Sequence, residues 1–342
     1  LPLPVFQLRG VALELERIAM HLVALAGLAA DMAFLHEIGD GLFAWLQPDG
    51  GWGWSNAGLV TSRGQTLLID TLMSVPLTRT MLAEFAKVPG GDKVDLLVNT
   101  HLHSDHCGGN RALQNRYPTL QTRIPPGLSQ AVSTWCETEL TYLPTGQNCP
   151  QFSFTGLLQP GSTHRWARTE WQVHAAPGHD PHSVILFAPE HRLLMSADAL
   201  WQNGFGVVFP ELAGLAGFDE VGLTLDLIER LDPATIIPGH GAVFTEVAAA
   251  LALARSKLAG FAQYPERHAR YGAKVLLKFK LLEWGRISRL EFKDWASRVP
   301  YFNNLHKRFG QDHTLDLWLD MMLAELERSQ ALKNDDEFLQ NT

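Results

Sequence analysis

Between Thr100 and His106 the chain places three imidazoles and a carboxylate, His101, His103, Asp105 and His106, directly after the apolar run Val94 to Val98. Such a run reads as a buried strand. A helix would spread these side chains over several faces, whereas a short loop leaving a strand can turn them toward one point. That point is most simply a metal, because imidazole nitrogen and carboxylate oxygen are the donors Zn²⁺ takes in hydrolytic sites. The competing reading is a polar loop rich in histidine with no ligand. It explains one histidine readily and this cluster poorly.

Three later stretches supply what the cluster lacks. Pro177-Gly178-His179-Asp180 follows a strand-like stretch, Ser196-Ala197-Asp198-Ala199 follows Leu193-Leu194-Met195, and Pro238-Gly239-His240-Gly241 follows Thr235-Ile236-Ile237. Each donor residue sits just past a β-like run among small or turn-forming neighbours. The order H-x-H-x-D-H, lone His, lone Asp, final His resembles the metallo-β-lactamase superfamily over residues 36–245. The resemblance implies an α/β chain folded as an αββα sandwich with the ligands at one edge. It implies two zinc ions, with iron or manganese as alternatives: His101, His103 and His179 on the first, Asp105, His106 and His240 on the second, and Asp198 bridging. A hydroxide held between the ions would attack an ester, thioester or lactone carbonyl. Asp105 would orient that nucleophile and carry a proton toward the leaving group. Residues 100–109 are similar to glyoxalase II, but Gly241-Ala242 stands where that family has Glu and Tyr, so glutathione specificity is not implied.

The 342 residues, 46% hydrophobic and 19% charged, suffice for one large domain and a smaller one. Cys107, Cys136 and Cys149 form no C-x-x-C pair, which argues against a disulfide scaffold or a cysteine zinc site and for a reducing cytoplasm. Cys107 beside His106 reads as a small packing residue. Residues 1–35 carry Val11, Leu15, Ile18, Leu22, Leu25 and Met32 at helical spacing and predict an amphipathic helix. His21 and Asp31 interrupt any membrane-length run there. The text from Arg9 to Leu22 is similar to a segment of the large subunits of membrane-bound hydrogenases and respiratory complex I. Without the paired cysteines of the nickel-iron enzymes, it is expected to be an appended helix with no hydrogenase chemistry.

From residue 41 the pattern predicts strands at 42–46, 56–61 and 65–69, with Trp52 and Trp54 on an intervening turn as either a substrate wall or core packing. Asp70 is expected to support the ligands without binding metal. Helices are predicted at 76–87, 108–116 and 127–142, and strands at 94–99, 163–167, 171–175, 183–188 and 192–196. His21, His164, His174, His191 and His268 are expected to be ordinary satisfied histidines. So is His182, which has no place in the ligand pattern.

Residues 246–333 predict a helical, winged-helix-like extension, with helices at 244–263, 266–284, 291–298 and 314–333 and a frayed end at 334–342. Ser288 stands three residues before Glu291 as in a capping box. Between Arg255 and Arg308 thirteen Lys or Arg face four Asp or Glu, although the whole chain carries −8. This excess points to an anionic partner or substrate, or to pairing with the acidic remainder. A metal-dependent ribonuclease and a non-catalytic metal-binding partner protein are the alternatives. The overall charge and the packing character of the tail's aromatics predict only weak nucleic-acid binding.

Overall fold

The computed structural model describes residues 34–47, 53–335 and 337–342. One sheet carries β1 Phe34–Gly39, β2 Leu42–Leu46, β3 Ala57–Ser62, β4 Gln65–Ile69, β5 Leu96–Val98, β6 Gln121–Ile124 and β7 Gly156–Leu157 in that spatial order. Neighbours run antiparallel as far as β4 and parallel beyond it. The other sheet has β8 Thr163–Trp166, β9 Thr169–Ala175, β10 Val184–Ala188, β11 Leu193–Ala197 and β12 Thr235–Pro238, ordered β12-β11-β10-β9-β8.

The continuous apolar runs of the sequence are explained by sheets buried on both faces. Within β4, Leu67 and Ile69 turn toward the second sheet, while Leu68 turns outward. Within β10, Val184, Leu186 and Ala188 face the first sheet, while Ile185 and Phe187 face outward. Outside the first sheet lies helix α1 Val75–Phe85, which buries Met81, Leu82 and Phe85 against Trp45, Leu59 and Leu68. The turn α2 Ser104–Cys107 and helix α3 Asn110–Arg116 follow β5, and the short helices α4 Ser129–Thr134, α5 Tyr142–Thr145 and α6 Phe209–Ala213 lie along the connections. Outside the second sheet lie α7 Phe218–Leu231 and α8 Val247–Gln263, through Val221, Leu225, Ile228, Ala250, Leu251 and Ala254. The layers are therefore helix, sheet, sheet, helix, as expected. By its packing α8 sits with the sandwich, although the sequence assigns it to the extension.

The chain continues through α9 Pro265–Trp284, β13 Arg286–Ser288, α10 Arg289–Arg298, α11 Pro300–Phe309, α12 Leu315–Arg328, β14 Leu332–Asn334 and β15 Phe338–Asn341. The three strands form an antiparallel sheet with β15 central. The extension thus combines four helices with a small three-stranded sheet. Its core takes in Val207, Phe209 and Leu212 of the preceding region, which fixes the extension beside the connection after β11. Ser288 caps α10: its hydroxyl accepts from the Glu291 N–H at 3.2 Å and donates to the Glu291 carboxylate at 2.6 Å.

Several expectations need correction. The 334–342 end is not frayed, because β15 buries Leu339 completely and Lys278 Nζ donates to Asn341 Oδ1 at 2.6 Å. The 127–142 helix stops at Trp135, whose left-handed φ of 52° ends α4. A helix absent from the sequence reading, α11, begins with Pro300, a residue suited to a first helical position. β1 starts at Phe34, inside the helix expected over 1–35, and residues 1–33 of that helix lie outside the described residues, as does Trp52. Among the described residues no helix is long and apolar enough to cross a membrane.

Candidate metal centre

Strand direction decides where the candidate ligands meet. β9 and β11 both run antiparallel to β10, and β12 runs parallel to β11, so β9, β11 and β12 end at one edge of their sheet. His179 follows β9, Asp198 follows β11 and His240 follows β12. The Val184 N–H at the start of β10 donates to the Thr100 carbonyl at 2.8 Å, which ties the exit of β5 to the same edge. His101 and His103 lie on that exit. Asp105 and His106 lie in the helical turn α2 and not in a loop, contrary to expectation. One turn following a loop still converges, since the two halves of the motif approach the centre from different sides.

All seven side chains are buried and meet. Three groups have donor atoms within 4.8 Å of one another: His101, His103 and His179; His101, His106 and Asp198; Asp105, His106 and His240. Asp198 Oδ2 lies 3.3 Å from His179 Nε2, and its Oδ1 lies 3.5 Å from both His106 Nε2 and His240 Nε2. Asp105 Oδ2 lies 3.2 Å from His240 Nε2 and 3.5 Å from His106 Nε2. Asp198 thus stands between the two outer groups.

The hydrogen bonds behind the rings fix which nitrogen is free. His106 Nδ1 faces Asp70 Oδ2 at 3.1 Å, His179 Nδ1 faces the Val207 carbonyl at 2.6 Å, and His240 Nδ1 faces the Trp54 carbonyl at 2.7 Å. His101 Nδ1 faces Thr100 Oγ1 at 3.1 Å, and that hydroxyl donates to Asp70 Oδ2 at 2.7 Å. An acceptor at Nδ1 holds the proton there and leaves the Nε2 lone pair turned inward, the arrangement of metal-binding histidines. His103 alone presents Nδ1, 2.8 Å from His179 Nε2, with Asp180 Oδ2 3.8 Å behind its other nitrogen. Asp70 accepts from three groups, two on Thr100 and one on His106, and supports the cluster from outside as its sequence position suggests.

Buried polar atoms are normally paired. Here His101 Nε2, His106 Nε2 and Asp105 Oδ2 are buried, lack any hydrogen-bond partner and face the centre. The donor set fits divalent cations. The electrostatics agree: burial, with the neighbouring His106, His103 and His179, holds His101 well below its ordinary value, and burial takes His179 down to about 4. Burial opposes charge on His240 too, but Asp198 and Asp105 outweigh it and lift the ring to about 9. The half of the cluster holding both carboxylates therefore draws positive charge, which a cation would deliver.

The backbone is shaped for this approach. Ala197 has a left-handed φ of 46° beside a register shift in β11, which turns Asp198 out of the strand. A Cβ added at Gly239 would lie 2.2 Å from Asp198 Oδ1 and 2.9 Å from the Ala197 carbonyl carbon, so only glycine fits. Gly239→Ala is expected to displace Asp198 and lower the affinity of the cluster for divalent cations at least about tenfold, the effect usual for disturbing a metal site's support. Unchanged zinc affinity by competition with a chelating dye would contradict this.

Of the remaining histidines, His268 Nε2 accepts from the Val208 N–H at 3.0 Å, and His164, His174 and His191 have side-chain partners away from the cluster. His182 is exposed and belongs to none of the groups. Cys107 points its sulfur at the His103 carbonyl, 3.2 Å, and at Tyr142 Oη, 3.2 Å, as a packing residue does. Asp180 and Trp201 were missed. Asp180 could have been suspected from its place after His179. Trp201, whose Nε1 donates to Asp198 Oδ1 at 3.3 Å and whose ring lies 5.0 Å from His240, gave no signal.

A cavity of about 910 Å³ opens beside the cluster, lined by His240, Trp54, Trp201, Lys257, Tyr271 and Phe279 among others. Trp54 is thus a wall residue of this cavity as well as the backbone partner of His240.

Comparison with known proteins places these features in a wider group. A hydroxyacylglutathione hydrolase of Synechococcus sp. (strain JA-3-3Ab) is 32% identical over 119 residues, 35% of this chain and 40% of that protein. The persulfide dioxygenase ETHE1 of Bos taurus is 28% identical over 109 residues, 32% of this chain and 34% of its own length. The chain spans less than half the length of the curated relatives it matches. Among solved structures, the DIM-1 metallo-beta-lactamase exposed to ceftazidime superposes with a TM-score of 0.50 at 16% identity, covering 66% of this chain and 98% of that one. A metallo-beta-lactamase of Pontibacter korlensis gives 0.50 at 15% identity, covering 65% and 98%. These likenesses concern the fold. The sequence profile of one family runs from residue 50 to the last histidine of the cluster, more than half of the chain, and by that match the protein belongs to the metallo-beta-lactamase superfamily.

Proposed function

We propose that the protein is a binuclear, zinc-dependent hydrolase of small esters, thioesters or lactones. The observation that carries the reading is the set of buried, partnerless donor atoms on His101, His106 and Asp105 facing one centre. His101, His103 and His179 would hold one ion, Asp105, His106 and His240 the other, and Asp198 would touch both. Divalent ions in such a set supply Lewis acidity, which activates water near neutral pH and polarises a carbonyl. Asp105, whose Oδ2 lies 3.2 Å from His240 Nε2, would serve both in holding the second ion and in taking up the proton that is returned to the leaving group. Trp54, Trp201 and Phe279 give an acyl substrate apolar walls and keep bulk water from the reacting carbon. The hydroxyacylglutathione hydrolase relatives support a thioester in particular.

The test is a hydrolysis panel with zinc-loaded protein, covering thioesters, lactones, cephalosporins and single-stranded RNA, run beside elemental analysis. The expected result is thioester or ester cleavage with two ions per chain. One ion retained under excess zinc would remove the binuclear assignment. Oxygen uptake on a persulfide with no hydrolysis would replace the hydrolase with an oxygenase.

The ribonuclease alternative is weakened by the charges of the extension. Of the thirteen cations from Arg255 to Arg308, eight form ion pairs: Arg255, Arg270, Lys274, Lys280, Arg286, Arg289, Lys293 and Arg298. Several of the acids come from α12, just beyond the basic stretch: Asp316, Asp320 and Glu325. Cations already paired release few counterions on meeting a phosphate backbone. RNA affinity is therefore expected to be weak, with a log–log salt slope of magnitude below about 2 where six to ten phosphate contacts would give one several times steeper. Filter binding of a single-stranded RNA across a salt series measures it.

A further inference from the structure

Among the cations from Arg255 to Arg308, Lys257 on α8 differs from its neighbours. Arg255, on the same helix, pairs with Asp226 and Glu229, and Lys274 pairs with Glu325 at 3.0 Å. Lys257 has no carboxylate partner among the described residues. Its Nζ donates to the Phe205 carbonyl at 3.1 Å and otherwise faces aromatic rings: Tyr271 at 4.4 Å, Phe205 at 5.1 Å, Phe261 at 5.6 Å and Trp201 at 6.0 Å from their centroids. The stem is positioned by the backbone opposite, since a Cβ at Gly204, where φ is +125°, would lie 2.8 Å from Lys257 Cδ. Burial draws the ammonium down to about 8, which leaves it charged at neutral pH.

An ammonium held this way keeps unused hydrogen-bonding capacity in a cavity that also reaches the candidate ligand His240. Aromatic faces attract a cation but cannot neutralise it. Trp201 links the two places: its indole N–H is bonded to Asp198, and its ring is within reach of Lys257. A group bound at Lys257 would thus sit about one indole away from the metal cluster. A single ammonium among apolar walls suits a monoanion that takes one or two charge-assisted hydrogen bonds. A phosphate would call for further donors, and the charge of the other lysine lining the cavity, Lys274, is already met by Glu325.

We propose that Lys257 is the substrate-recognition cation of this enzyme and that it binds a carboxylate carried by the substrate a few bonds from the scissile carbonyl. This rests on the hydrolase reading above and adds to it the substrate class: short acyl thioesters or esters bearing a free carboxylate. Lys257 acts in binding and orientation and has no part in bond cleavage.

Two measurements test this. In the first, zinc-loaded protein is assayed with S-acetyl-3-mercaptopropionate and with the isosteric S-acetyl-3-mercaptopropionamide, which differ in charge alone. The wild type should prefer the acid at least about tenfold in kcat/KM, and Lys257→Met and Lys257→Gln should each bring that ratio close to one, chiefly through KM. In the second, tryptophan fluorescence of the metal-free protein follows titration with the monoanion butyrate or with butyramide, which needs no turnover. Butyrate should saturate the wild type at a concentration at least tenfold below butyramide, and the variants should lose the difference. Should both variants misfold by circular dichroism, the wild-type comparison of the two titrants still decides. Equal responses to butyrate and butyramide, or an acid preference that survives in Lys257→Gln, would overturn the proposal. Cleavage of neither thioester with normal butyrate selectivity would instead remove the hydrolase reading and leave the anion site standing.

Discussion

Asp105→Asn is expected to lower thioester hydrolysis by about a thousandfold, in the range usual for loss of a positioned acid–base group, while the protein stays folded. The substitution keeps the shape of the side chain. Ser55 Oγ donates to the Asp105 backbone carbonyl at 2.6 Å, a contact the change does not touch, and the flanking turn α2 is unaltered. What changes is one charge on the Oδ2 that faces His240 and has no hydrogen-bond partner, so the substitution weakens the hold on the second ion and removes the proton acceptor together. An amide there cannot take up a proton, and it places either a donor or a weaker acceptor toward His240 and His106. His182→Ala is the matched control: it removes an exposed imidazole three residues from His179, outside the ligand groups, and should change kcat/KM less than about threefold, since exposed side chains away from a site contribute little. Steady-state kinetics with metal content measured on the same samples checks both. If the two variants were equally inactive with metal retained, Asp105 would not have the proton-carrying role.

The separation between what the sequence revealed and what it concealed has a physical basis. The candidate ligand positions were legible because most of the strands that precede them are apolar runs cut off by small or turn-forming residues, such as Leu193-Leu194-Met195 before Asp198, while β9 before His179 alternates buried and half-buried residues. Burial on both faces makes such runs unmistakable, and the common exit edge then follows from strand direction. The helical turn at 104–107 was not legible, since four residues carry no periodicity. The same holds for β14 and β15, three and four residues long, whose pairing with β13 orders the end of the chain. Trp135 has an ordinary side chain in a left-handed backbone, so composition extended α4 past its true end. The basic stretch looked unbalanced because half of its eight paired cations, Arg270, Lys274, Arg289 and Lys293, find their acids after it on α12. Ion pairing across helices is a property of packing, and a window along the sequence cannot register it.

Asp70→Ala should cost both stability and metal affinity, although Asp70 is not a ligand. Its carboxylate accepts from the Thr100 N–H at 2.8 Å and the Thr100 hydroxyl at 2.7 Å, and it faces His106 Nδ1 at 3.1 Å. Asp70, Thr100 and His106 are all buried, so alanine strands donors that water cannot easily reach. Each stranded buried donor costs about 1–3 kcal/mol, so even partial relaxation leaves roughly 3 kcal/mol. For a domain of this size that is a fall in Tm of roughly 6–12 °C. The consequence for function runs through the rings. Without Asp70 the proton on His106 Nδ1 is no longer held, and the Thr100 hydroxyl that orders His101 loses its own acceptor. Two Nε2 atoms thereby lose orientation, and zinc affinity should drop about 10- to 100-fold, the usual effect of removing such a partner. Asp70→Asn should lie between: it keeps one acceptor oxygen but turns an amide donor toward Thr100 or His106. Differential scanning fluorimetry of the zinc-free and zinc-loaded proteins separates the two effects, since a loss confined to the loaded form is a loss of metal binding. A zinc-free Tm unchanged in Asp70→Ala would show that these three contacts do not stabilise the fold, and full zinc affinity in the same variant would show that the rings are oriented without them.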